Sequence, residues 1–98
     1  MPSRIKSKAP SLLALYARTG GAFALPGGFN VTVRILNKAE AHKEMGSEIL
    51  AQYSHDDHMI YLKKSRRVKD RKLDLEHELG HAALDWIDYF VRKAKVPQ

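Results

Sequence analysis

The chain predicts an α+β fold: a small sheet of three strands, or slightly more, packed on an N-terminal helix and a long C-terminal helix. Three observations predict it. Val31, Val33 and Ile35 alternate with Thr32, Arg34 and Leu36, the period of two that a half-buried strand shows. Two short strand-like runs, Glu48 to Tyr53 and His58 to Lys63, flank the polar stretch Ser54-His55-Asp56-Asp57 and predict a hairpin. From Val68 the period becomes helical, with Leu75, Leu79, Ala82, Trp86 and Phe90 on one stripe.

Each element has a local cause. Met1 to Pro10, carrying Arg4, Lys6 and Lys8, reads as a mobile basic arm, which leaves residues 11–98 as a single domain. Ser11 stands before Leu12, Leu13, Leu15 and Tyr16 and predicts an N-capped short helix, stopped by Gly20-Gly21. Leu25-Pro26-Gly27-Gly28 forces a turn before the strand through Val31. Asn37 to Met45 is rich in Ala, Lys and Glu and predicts a short helix or a long turn, with Asn37 as cap and Gly46 as stop. In the C-terminal helix, Ala83 and Tyr89 flank the apolar stripe, and Asp74, His77, Glu78, His81, Asp85 and Asp88 form an opposing polar stripe. No Gly or Pro occurs between Ala82 and Lys95 to end that helix.

Composition narrows the function classes. At 98 residues with 44% apolar content, the chain is a single small folded domain with no internal repeat. It has no cysteine, which excludes a disulfide framework and a thiolate zinc site and leaves His, Asp and Glu as metal ligands. The apolar run Leu12 to Ala17 is interrupted at Arg18, and no run approaches the roughly 18–20 apolar residues of a membrane span. The expectation is a cytoplasmic protein without a membrane partner. The net charge is +6, with much of the excess in Lys63 to Lys72. Such a run can engage nucleic acid or an acidic partner, or form a solvated loop and first helical turn; it has no interleaved aromatics. Nothing in the pattern sets the oligomeric state.

His77-Glu78-Leu79-Gly80-His81 is the motif that carries chemistry. Residues four apart share a helix face, so His77 and His81 can offer two imidazole nitrogens to one Zn²⁺, with Glu78 about 100° round the helix as general base. Neutral imidazoles suit zinc near neutral pH, and the helix already sets their spacing. Gly80 leaves room beside them. The third ligand is open. Asp85 or Asp88 would serve if the helix broke soon after His81, because in an unbroken helix Asp85 lies about 6 Å further along the axis. The hairpin offers His58 or His55 as a fallback, beside Asp56 and Asp57. Asp74, one turn before His77, is placed to orient its imidazole. Tyr53 and Tyr61 are candidate hydrogen-bond donors to a reacting carbonyl.

The order of helix, strand, hairpin and a helix opening into His77-Glu78-Leu79-Gly80-His81-Ala82 resembles the zincin metallopeptidases, in particular ImmA/IrrE-like and minimal gluzincin-like domains. The likeness spans roughly residues 10 to 90 in element order and is specific at residues 76 to 82. It implies a zinc-dependent peptidase acting on a peptide or protein substrate, with His77 and His81 as ligands and Glu78 as general base and acid. It also implies that His58 to Leu62, or its hairpin partner, borders an extended substrate. The chain departs from that pattern in two places: no glutamate follows Glu78 to act as a downstream ligand, and Leu84 and Ile87 stand where the metzincin extension has glycine and histidine. A zincin-like scaffold that binds nucleic acid or protein with little or no peptidase activity is the alternative.

Overall fold

The element order is α1 (Leu12–Thr19), β1 (Gly21–Leu25), β2 (Phe29–Leu36), α2 (Lys38–Glu44), β3 (Ala51–Ser54), β4 (Met59–Lys63) and α3 (Val68–Lys95). These come from a computed structural model that describes residues 11–95; the expected basic arm, residues 1–10, lies outside the described residues. The α+β architecture is as expected, with four strands in one mixed sheet of order β1-β2-β4-β3. β1 pairs antiparallel with β2, β2 parallel with β4, and β4 antiparallel with β3. The parallel pairing of β2 and β4 leaves β3 on an edge and β4 inside the sheet.

The helix ends obey local chemistry. The Ser11 side chain accepts from the Ala14 N–H at 3.1 Å, satisfying one of the donors that a helix start leaves free. Gly20 ends α1 at φ 73, and a Cβ there would stand 2.6 Å from the Val33 carbonyl oxygen, so only glycine lets the chain turn this close to β2. Asn37 and Glu40 form a reciprocal capping box at the start of α2. That resolves Asn37 to Met45 as a helix.

Alternation along the strands divides the core between two faces. Val31, Val33, Ile60 and Leu62 pack with Ala17, Phe29, Leu75 and Ala82 between the sheet and the α1/α3 layer. Leu36 and Tyr61 point to the other face and meet Ala41 of α2 and Met45, the residue that caps it. The two helices are tied together by Arg71 of α3, which is buried and donates through Nη1 to the Ala17 carbonyl at 3.0 Å and through Nε to the Arg66 carbonyl at 3.0 Å. A cation at the C-terminal end of α1 also opposes the helix dipole there. At the other end of α3, Trp86 Nε1 donates to the Pro26 carbonyl and Tyr89 Oη to the Gly27 carbonyl, each at 2.9 Å. The β1–β2 turn thereby docks on the last turns of α3.

Candidate metal centre

α3 has 28 residues and runs unbroken past His81, so it is about 42 Å long. Its buried side carries Arg71, Leu75, Glu78 and Ala82. The expected division into an apolar and an opposing polar stripe therefore needs correcting. Glu78 does not face away from the core with the histidines; it is only 8% exposed. Leu84 and Ile87 are exposed instead, on the side expected to be polar. At 100° per residue, Glu78 lies about 60° from both Leu75 and His81, so the motif straddles the boundary between core and solvent.

That placement gives the three residues different surroundings. His77 and His81 are exposed, with ring centroids 5.0 Å apart and planes at 80°. Two imidazoles sharing a tetrahedral zinc through bonds of about 2.0–2.1 Å have centroids roughly 5 Å apart. Glu78, one turn inward, makes no hydrogen bond or ion pair with any described residue. A buried carboxylate without a partner is uncommon and points to a missing water or ion. The ring separation fits two imidazoles on one zinc, and Glu78 adjoins His77 in the chain.

The other candidates gather elsewhere. Because α3 does not break, neither Asp85 nor Asp88 is brought to the histidine pair. The Asp85 carboxylate accepts from Tyr53 Oη at 2.6 Å and lies 3.3 Å from His55 Nδ1, while Asp88 pairs with Arg92 at 2.8 Å. His58 takes a positive φ of 55 in the hairpin turn and stacks on Phe29 with centroids 3.9 Å apart. His55, His58, Asp85 and Asp88 line one cleft of about 610 Å³ with Phe29, Tyr89, Arg92 and Lys93. Among the described residues no three His, Cys, Asp or Glu side chains assemble a metal cage. His77 and His81 are brought together as a pair of rings, without a third such group. A larger cleft of about 840 Å³, lined by α2 residues and Lys63, lies away from all of these groups.

No family model matches the chain, and neither a curated protein nor a solved structure matches it. The geometry alone therefore bears on the remaining expectations. Asp74 does not orient His77: both its oxygens accept from Arg66, at 2.6 and 2.9 Å. β4 cannot receive an extended substrate, since β2 and β3 occupy both its edges; its hairpin partner β3 lies at one edge of the sheet, as β1 does at the other. Tyr61 is buried against α2, on the far face of the sheet. Tyr53 is fixed to Asp85, and burial first, then that hydrogen bond, push its phenol above the ordinary value of 10.0. The Tyr53–Asp85–His55 cluster was not visible in the sequence as a unit; its one signal is that Asp85 falls seven residues after Glu78 and so shares the inward face.

The basic run is largely self-satisfied. Lys63 donates to the Ser47 carbonyl at 3.2 Å, and Arg66, Arg67 and Lys72 pair with Asp74, Asp70 and Glu76. Arg71 is spent on α1. Among the described residues, only Lys64 and Lys69 of that run lack such a partner. No helix there is long and apolar enough to cross a membrane.

Proposed function

We propose that this protein is a zinc-dependent metallopeptidase in which His77 and His81 hold the metal and Glu78 moves the proton. The observation that carries it is the buried carboxylate of Glu78, unpartnered, beside an exposed pair of imidazoles at metal-sharing separation. When bound, zinc would polarise a substrate carbonyl and acidify water. Glu78 would then accept a proton from the attacking water and return it to the leaving amine nitrogen. Its buried position favours this, because no described residue donates to its lone pairs. The free edge of β3, Ala51–Ser54, offers main-chain groups along which an extended peptide can pair. The reading includes the resemblance to zincins and a cytoplasmic setting.

Glu78→Gln tests the proton-transfer role. The variant should still bind zinc and should lose about 10²–10⁴-fold in peptide cleavage. Cleavage at the wild-type rate would remove Glu78 from the mechanism. Binding of nucleic acid through Lys63 to Lys72 is the weaker reading, because most of those cations already have partners within the fold.

A further inference from the structure

Beside α2, the molecule carries a cleft of about 840 Å³ that the candidate metal centre does not use. That volume lies within the roughly 300–1,000 Å³ of small-molecule sites. The α2 wall of the cleft is segregated by charge. Lys38 and His42, four residues apart, line it together with Ala39, while Glu40 and Glu44 lie about 160° round the helix from that stripe. Glu40 is also engaged elsewhere, accepting from the Asn37 N–H at 2.9 Å and standing 3.7 Å from Arg34. Lys63 follows Tyr61 by two residues and so shares the α2 face of β4, where it joins the lining. Its ammonium is held 3.2 Å from the Ser47 carbonyl and 3.5 Å from the Gly46 carbonyl. Two carbonyls fix its place without cancelling its charge, and an ammonium has a third N–H to give.

We propose that this cleft binds a small phosphate monoester without an aromatic ring, its phosphate held by Lys38 and Lys63 with the hydroxyls of Ser47 and Ser65. The charge balance selects the ligand. Among the described residues no carboxylate lines the cleft, so two ammoniums share it with no internal counter-charge. A phosphate monoester brings about −1.5 to −2 at pH 7, which matches them, and its oxygens accept from ammonium and hydroxyl donors alike. The small side chains of Ala39 and Ala41 leave apolar wall for the rest of the molecule. No Phe, Tyr or Trp is among the described lining residues, so nothing there stacks a nucleobase, as a nucleic-acid groove would. The site is distinct from the histidine pair and needs no metal.

The full chain is titrated with chelator present, so the outcome does not depend on whether zinc binds. Glycerol phosphate added to isotope-labelled protein should shift the Gly46 and Ser47 amide signals saturably, inorganic phosphate should do so with weaker affinity, and glycerol should not. Lys63→Gln keeps a donor for the two carbonyls and removes the charge; this variant and Lys38→Gln should each weaken binding about tenfold. Ala39→Glu sets a carboxylate in the cleft from an exposed helical position, which leaves the fold intact, and should abolish binding. Lys64→Gln and Lys69→Gln remove the same charge outside the cleft and should change the affinity less than about twofold. A wild-type protein that shows no saturable shift with glycerol phosphate would overturn the proposal, as would equal weakening by Lys64→Gln or binding that survives Ala39→Glu. Tighter binding of a short single-stranded RNA, lost in Ala39→Glu, would also overturn it and assign the cleft to nucleic acid.

Discussion

Glu78 holds a carboxylate in a place where no described residue donates to it. A group of that kind destabilises the fold, since a buried unsatisfied polar atom costs about 1–3 kcal/mol, and more when charged. Removing its charge should therefore stabilise the metal-free protein. Glu78→Gln is expected to raise stability by about 1 kcal/mol, or roughly 4–8 °C in Tm for a domain of this size, in thermal unfolding with chelator present. A fall in Tm would mean that the carboxylate is satisfied after all. Seven residues on, Asp85 is the opposite: its two oxygens face Tyr53 and His55. Because Tyr53 is held protonated above its ordinary range, its contribution to stability is fully present below about pH 10 and is lost as pH rises beyond that. Spectrophotometric titration should show a late-ionising tyrosine component that is absent in Tyr53→Phe. A titration in which Tyr53→Phe removes an early component instead would contradict the Asp85 contact.

α3 does several jobs because its faces are chemically different. Arg71 joins it to α1 by donating into the carbonyls at the end of that helix, and Arg71→Ala would leave the Ala17 carbonyl buried without a donor. Loss of about 2–3 kcal/mol is expected in chemical denaturation, with the slope unchanged. An unaffected midpoint would show that the two helices are held by packing alone. Helices were the most legible elements, because their signals are local: Ser11, Gly20, Asn37 with Glu40, and Gly46 each act within one turn. β1 was not legible. Gly21-Ala22-Phe23-Ala24 has almost no strand propensity, and it becomes a strand by pairing with β2 across the Pro26–Gly28 turn. β3 is shorter than the run from Glu48 suggests, since its register with β4 ends at Ala51 opposite Leu62. The pairing of His77 with His81 on adjacent turns was legible from their spacing. The inward turn of Glu78 was not, because a polarity pattern assigns every carboxylate to solvent, whereas burial is decided by the sheet that α3 packs on.

At the scale of the molecule, topology arranges the parts. The parallel pairing of β2 with β4 pushes β3 to the edge, and α3 crosses the β3–β4 hairpin on the same face as α1. This leaves Glu78 turned towards the core and His77 and His81 exposed on α3. It also separates the histidine pair from the hairpin cleft, so the acidic and imidazole groups form two clusters along α3. In the run from Lys63 to Lys72, Arg71 is buried and Arg66 is held by Asp74, while Arg67 and Lys72 stay exposed in their ion pairs. The central claim is that His77 and His81 share one metal ion. Zinc stoichiometry of the purified protein, measured beside His77→Ala, His81→Ala and Glu78→Gln, tests it most directly. The account predicts about one zinc per chain in the wild type and in Glu78→Gln, and loss of it in either histidine variant. Zinc that survives both histidine substitutions, or a wild-type protein that takes up none, would contradict it.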